Sequence, residues 1–403
     1  MPNASKPRKA ALALESGQVF IGASFGAEGE RAGEVVFNTS MTGYQEILSD
    51  PSYKGQIVLM TQPHIGNVGV NPEDRESGKV YCEGFVVRES SPVSSSWRAA
   101  GDLPGYLRAA GIPGISGIDT RFLTKHLRDS GALRGVISTT DLDPKSLTEK
   151  ARRSPEMSGR DLAKEVTSKK SYEWTDPEWR WGGDSKSARP DPEFHVAVMD
   201  FGVKENILRS LSSRRCRVSV VPAQTSPQEV LALRPDGVLL SNGPGDPAAV
   251  TYAVAAIRGL IRPDPSSGAQ IPIFGICLGH QLLALALGGK THKLKFGHHG
   301  ANHPVKNLAS GKVEITTQNH GFCVDIDSLS GKDVEMTHLN LNDRSLEGLR
   351  HRTLPLFSVQ YHPESSAGPR DSRYLFDDFL ELMRRYKESR AAAKPHRPES
   401  VAP

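Results

Sequence analysis

The sequence predicts an α/β protein whose C-terminal half is a mainly parallel sheet flanked by helices. Two observations carry this. Short apolar runs at His195 to Asp200, Val218 to Val221, Gly237 to Leu240 and Ile271 to Phe274 alternate with segments of helical period. Strands joined by crossover helices produce that rhythm, with helices on both faces of the sheet. Polar or glycine-bearing turns follow several of these runs, and in such sheets ligands sit beyond the carboxyl ends of the strands. With 403 residues, the chain has room for two domains with separate cores.

Taken from the start, Met1 to Lys9 is polar and basic and has no apolar core behind it, which argues against a secretion signal. Residues 10–171 read as a first domain, strand-rich with polar turns. Its clearest helix opens at Asp119 as N-cap, runs through Phe122, Leu123 and Leu127, and stops at Gly131. Residues 172–193 read as a linker, with Pro177, Gly182, Gly183 and Pro190. It holds Trp174, Trp179 and Trp181, which are expected to pack against the domains because no basic cluster surrounds them. Residues 194–390 form the second domain, and 391–403, rich in Ala, Pro and charge, are expected to be a disordered tail.

The chemistry concentrates in three short stretches of the second domain. In Phe274-Gly275-Ile276-Cys277-Leu278-Gly279-His280-Gln281, one cysteine stands between a short strand and a helix reading Leu278 to Leu287, closed by Gly288-Gly289. Small neighbours permit a sharp turn that holds the sulfur out, and a helix N-terminus favours the thiolate that attacks. Taken alone, the motif fits a buried cysteine at a strand–helix junction equally well. In Gln360-Tyr361-His362-Pro363-Glu364, His362 at a strand end can take a proton from Cys277 and return it to a leaving amine. Glu364 can fix the far imidazole nitrogen, and Pro363 stiffens the turn. Ser241-Asn242-Gly243-Pro244-Gly245-Asp246-Pro247 follows the run Gly237 to Leu240. The N–H groups of Gly243 and Leu278 could together receive an oxyanion.

In that order on successive strand ends, the three stretches resemble the class I glutamine amidotransferases over roughly Phe194 to Tyr386. The resemblance implies that Cys277 attacks a glutamine side-chain amide, with a thioester intermediate, release of ammonia and hydrolysis to glutamate. It makes Cys277, His362 and Glu364 the catalytic set. Upstream, Phe37-Asn38-Thr39-Ser40-Met41-Thr42-Gly43-Tyr44 runs on to Asp50-Pro51-Ser52-Tyr53, followed by Pro63-His64-Ile65-Gly66-Asn67 and Gly114-Ile115-Ser116-Gly117-Ile118-Asp119-Thr120-Arg121. Those segments resemble the amino-terminal domain of the carbamoyl-phosphate synthase small-subunit family, which implies a layered β/β/α first domain. By the family's pattern glutamine is held by Ser52, Gly243, Gly245, Leu278, Gln281, Asn319, Gly321 and Phe322. Ser52 would then place the pocket at the domain boundary. The resemblance also implies no cofactor in this chain, with ATP and Mg in a large partner subunit that phosphorylates bicarbonate. The two chains would form a heterodimer or a tetramer of heterodimers in the cytoplasm, feeding arginine and pyrimidine synthesis. The Pro/Ser/Gly-rich stretch Arg262 to Gln270 looks longer than the family norm.

Other readings are weaker. Gly289-Lys290-Thr291 resembles the end of a phosphate loop, but it follows a helix and the first glycine of that motif would fall at Ala284. His298, His299 and His303 show neither helical spacing nor a carboxylate partner in sequence, so no metal is expected. The 50 basic and 46 acidic residues are too evenly balanced for a nucleic-acid groove, and no apolar run is long enough to span a membrane. Four scattered cysteines, Cys82, Cys216, Cys277 and Cys323, argue against a disulfide framework or a zinc knot and suit a reducing compartment. Two rival functions remain: an amidotransferase serving another synthetase, and a non-catalytic scaffold.

Overall fold

The computed structural model describes residues 8–181, 191–263, 270–329, 331 and 333–392. The tail from residue 393, most of the Arg262 to Gln270 stretch and residues 1–7 lie outside the described residues.

Among the described residues, the first half contributes strands β1 (Lys9–Leu14), β2 (Val19–Ser24), β3 (Glu30–Asn38), β4 (Gln56–Met60), β5 (His64–Ile65), β6 (Gly84–Val86), β7 (Glu89–Ser90), β8 (Gly114–Ser116) and β9 (Leu133–Ser138). β5 and β7 form a small parallel ladder, and the others close into a barrel in the order β1-β2-β8-β6-β4-β3-β9. Period-two burial explains the layering around it. Leu12 and Leu14 of β1 share a core cluster with Val35, Ile57, Leu59 and Ile137. The intervening Ala11 and Ala13 pack instead with Leu147 and Ala151 of the helix Pro144–Arg153. Successive side chains of one strand point to opposite faces, so β1 is covered on both. The expected helix is present as Thr120–Ser130, and the Asp119 side chain accepts from Phe122 N at its start.

The second half builds one sheet from β10 (Tyr172–Trp174), β11 (Phe194–Asp200), β12 (Cys216–Pro222), β13 (Gly237–Leu240), β14 (Ile273–Ile276), β15 (Lys290–Asn307), β16 (Val313–Asp325), β17 (Val334–Asn340), β18 (Leu346–His351) and β19 (Leu356–Val359). Their spatial order is β10-β12-β11-β13-β14-β19-β18-β17-β15-β16. β12, β11, β13, β14 and β19 are parallel, and the long hairpins from β18 onward extend the sheet antiparallel. Val196 and Val198 face the core under the helices Glu205–Ser212 and Tyr374–Ala392. Ala197 and Met199 face the opposite core, with the helices Thr251–Ile261 and Leu278–Ala286. Two cores on a central sheet are the arrangement that the strand–helix alternation implies.

β10 lies within the stretch read as a linker and pairs with β12. Trp174 is partly buried against that second core. Trp179 and Trp181 are 49% and 74% exposed but do rest on the first domain, Trp181 edge-on to Trp97 and Trp179 under the Arg98 guanidinium.

Candidate active site

β14 ends at Ile276, and the next residue leaves the strand abruptly. Cys277 has φ 53° and ψ −105°, a conformation that costs an ordinary residue about 1–3 kcal/mol. Its backbone N–H donates to Val359 O on the neighbouring β19 at 2.9 Å, and the helix Leu278–Ala286 starts immediately after it. The turn closes only because Gly279 has no side chain: a Cβ there would lie 2.1 Å from Leu240 O. The sulfur is therefore held at the N-terminus of a helix, where the macrodipole favours a negative charge. The thiol donates to Asn319 O at 3.6 Å.

His362 lies three residues past the end of β19, the strand beside β14. Its Nδ1 bonds Glu364 Oε1 at 2.7 Å, and both residues are buried. Its Nε2 has no hydrogen-bond partner. Burial on its own would lower the imidazole, but the Glu364 charge, helped by the Cys277 thiol, holds it above its ordinary range. Burial would likewise raise the Glu364 carboxyl, but the charges of Lys204 and then His362 hold it down.

Lys204 was not singled out by the sequence reading. It sits between β11 and the helix Glu205–Ser212, and its Nζ donates to the same Glu364 Oε1 at 2.8 Å and to Ser365 O at 2.7 Å. The next turn contributes Asn206, whose Nδ2 donates to Glu364 O at 2.6 Å. That helix is anchored from the first half of the chain, because Glu76 Oε2 accepts from Asn206 N at 3.1 Å. A lysine in the short link Phe201-Gly202-Val203-Lys204 after an apolar strand is a weak signal in sequence. Lys204 and its partner lie 160 residues apart in the chain, so the pair and its burial are visible only once folded.

A narrow cleft lies over the sulfur. Cys277, Ser52, Gly243, Gly245, Gln281, Asn319, Gly321 and Phe322 all line it. Leu278 is buried behind the sulfur, so only its backbone can take part. Neither Leu278 N–H nor Gly243 N–H has a protein acceptor among the described residues. A Cβ on Gly243 would meet Phe201 O at 2.1 Å, which explains the glycine. Gln281 donates from Nε2 to Phe322 O at 2.8 Å and to Gln360 Oε1 at 3.0 Å. Both amide hydrogens are engaged, so its carbonyl oxygen is the group left for the cleft.

The two halves of the chain meet across this cleft. Asn242 Nδ2 donates to Ser52 Oγ at 2.9 Å, and Asn319 Nδ2 donates to Asp50 Oδ2 at 2.8 Å. Asp50 Oδ1 in turn accepts from Ser52 N at 2.8 Å, which fixes the turn Pro51–Tyr53 that presents Ser52. Asp50, Asn242 and Gln360 are thus positioning groups beside the residues named from sequence.

Comparison with known proteins agrees with both halves. Residues 197–382 match the family model described as Glutamine amidotransferase class-I. Residues 12–137 match the one described as Carbamoyl-phosphate synthase small chain, CPSase domain. The chain is 57% identical over 381 residues to the carbamoyl phosphate synthase small chain of Syntrophotalea carbinolica, covering 94% of this chain and 99% of that one. The small chain of Chlorobaculum tepidum is 53% identical over 378 residues, with 94% and 98% covered. That of Aquifex aeolicus is 52% identical over 378 residues, with 93% and 99% covered.

Proposed function

This chain belongs to the carbamoyl phosphate synthase small-chain family, and we propose that it hydrolyses glutamine and passes the ammonia to a large partner chain. The observation that carries the proposal is the convergence of three groups at the ends of adjacent strands: Cys277 after β14, His362 with Glu364 after β19, and the Gly243 loop after β13.

In the proposed reaction the Cys277 thiolate attacks the side-chain carbonyl carbon of glutamine. The carbonyl π electrons move to oxygen, where the N–H groups of Gly243 and Leu278 receive the charge. The tetrahedral intermediate collapses by expelling the amine, which takes a proton from imidazolium His362 and leaves as ammonia. A glutamyl thioester remains on Cys277. Water, losing a proton to His362, then attacks the thioester, and the thiolate departs to leave glutamate. Glu364 keeps Nδ1 protonated and the ring aimed at sulfur, so that Nε2 carries the moving proton. Lys204 holds that carboxylate ionised. Gln281, Asn319, Gly321 and Phe322, which line the cleft, are assigned to hold the substrate with Ser52 from the first half of the chain.

The phosphorylations that need ATP and Mg are assigned to the large chain. The product is proposed to serve arginine and pyrimidine synthesis.

Replacing the nucleophile tests the reading. Cys277→Ser should abolish glutamate release, because a hydroxyl is a poorer nucleophile at neutral pH. Added ammonium should still support carbamoyl phosphate formation by the reconstituted complex. Normal glutaminase activity in this variant would refute the assignment. Failure of ammonium to rescue a correctly assembled complex would instead point to service of a different synthetase. A wild-type chain that stabilises its partner but never releases glutamate would be a scaffold.

A further inference from the structure

Beside the glutamine cleft lies a buried polar group that the proposed reaction does not use. His298 of β15 stands directly across from His320 of β16, their ring centroids 4.9 Å apart. Glu347 of β18 reaches the same point. One ligand atom from each of these three buried residues lies within 4.8 Å of the others. In sequence His298 lacked a carboxylate partner. Folding supplies two, Asp343 and Glu347.

Two ring nitrogens, His298 Nδ1 and His320 Nε2, face inward. Burial would lower the His298 imidazole, but Asp343 and Glu347 hold it above its ordinary range, so a bound cation would displace that ring's second proton. His298 Nε2 bonds Asp343 Oδ2 at 2.8 Å, while its Nδ1 is buried with no hydrogen-bond partner, 3.7 Å from Glu347 Oε1. His320 Nδ1 lies 2.8 Å from Phe322 O, which can only accept, so that nitrogen carries the ring hydrogen. The neutral ring then presents a bare Nε2 to Gln318 Oε1 at 3.0 Å. Gln318 cannot relieve this by turning its amide over. Its Nε2 donates to Glu347 Oε2 at 2.9 Å and to Thr316 Oγ1 at 3.1 Å, and a turned amide would set oxygen against the carboxylate. Two acceptors at hydrogen-bond distance with no hydrogen between them repel, and burial removes water as a remedy.

A cation at this point satisfies all of these atoms together. Metal-ligating histidines use one ring nitrogen for the metal and donate from the other to a carboxylate or a backbone carbonyl. Asp343 stands in that relation to His298, and Phe322 O to His320. Two imidazoles and one carboxylate are a donor set suited to zinc. Glu347 already receives one amide hydrogen on each oxygen, from Asn340 Nδ2 at 2.7 Å and from Gln318, and keeps further lone pairs. We propose that His298 Nδ1, His320 Nε2 and Glu347, with Gln318 Oε1 beside them, bind one divalent transition-metal ion of the zinc class. The site is structural. It ties β15, β16 and β18 together, and β16 carries Asn319, Gly321 and Phe322 of the cleft. The inference does not rest on the glutamine reading.

The test is metal analysis of the full chain purified without a histidine tag. Elemental mass spectrometry of the wild type should find about one zinc per chain, retained through gel filtration. Chelator-stripped protein titrated with Co²⁺ should show saturable visible absorption of a tetrahedral site, and zinc should raise its thermal midpoint. Glu347→Gln and His298→Gln should each lose the metal, while His292→Gln, at an exposed position, should keep it. Background zinc together with no saturable cobalt band in the wild type overturns the proposal and leaves extra ring protons as the occupants. So does an unchanged metal content in Glu347→Gln. The wild-type measurement decides the matter even where a variant does not fold.

Discussion

Breaking the Lys204–Glu364 pair should cost more stability than any other change within the proposed catalytic set. The Nζ and Oε1 atoms are 2.8 Å apart, and the two side chains are 2% and 0% exposed. At an effective dielectric of about 20, charges at that spacing attract by roughly 6 kcal/mol. Glu364→Gln keeps the size of the side chain and removes its charge, which leaves the buried ammonium with neutral acceptors alone, the amide oxygen and Ser365 O. Removing one member of such a pair costs about 3–5 kcal/mol, a large share of the ~5–15 kcal/mol that holds a typical protein together. Lys204→Met should cost a similar amount, since it strands a buried carboxylate beside His362. The double variant should lose less than the sum of the two, by at least about 2 kcal/mol, because neither charge is then stranded. Equilibrium urea unfolding, followed by far-UV circular dichroism and by tryptophan fluorescence, measures all four proteins. Coincidence of the two signals tests for a single transition. Additivity within about 0.5 kcal/mol would show that the pair is not coupled and would refute this account of how Glu364 is held. In turnover, Glu364→Ala should be less damaging than His362→Asn, which should cost about 10⁴-fold, because orientation is lost but the base remains. Equal losses in two folded proteins would contradict that division of roles.

Three further outcomes are expected. Gly243→Ala must displace its loop, since the new Cβ would meet Phe201 O at 2.1 Å; glutamine turnover should fall about 10²–10³-fold as one oxyanion donor is lost, and unchanged kcat would remove Gly243 from that role. Iodoacetamide at neutral pH should label Cys277 alone, as located by peptide mass spectrometry, because burial pushes the thiols of Cys82, Cys216 and Cys323 up to about 12; faster labelling of any of those three would count against it. Glutamate release by the isolated chain should be slow and should rise when the large chain, ATP and bicarbonate are present, since a partner can bias the site only through its differential affinity for two arrangements; equal rates for the chain alone, with its partner, and with partner, ATP and bicarbonate would reject coupling.

The geometry of the candidate site was legible in the sequence where it is local. A strand, a strained turn and a helix N-terminus lie within a short stretch around Cys277, and their geometry follows from glycines at fixed offsets. The same holds for His362 and Glu364, which share one stiff turn. Strand limits were less legible. The run read as Ile271 to Phe274 is strand only at Ile273–Ile276, because pairing with β13 and β19, rather than hydropathy, decides where the ladder begins. The barrel was not legible from periodicity, since its closure depends on β1 pairing with the distant β9.

What the sequence by itself determined is thus the candidate groups for the proposed reaction and the class of fold that presents them. Only the tertiary structure decided what holds those groups in place. Lys204 meets Glu364 across 160 residues, Asn319 meets Asp50 across 269, and Gln318 meets Glu347 across 29. The contact of Gln318 with Glu347 depends on strand register, where a slip of one residue would turn a side chain to the opposite face, and the other two depend on how loops pack, against each other or against β16. A charged residue in sequence carries no sign of whether it will be solvated or buried against a partner. That choice sets its protonation, and it is made by packing.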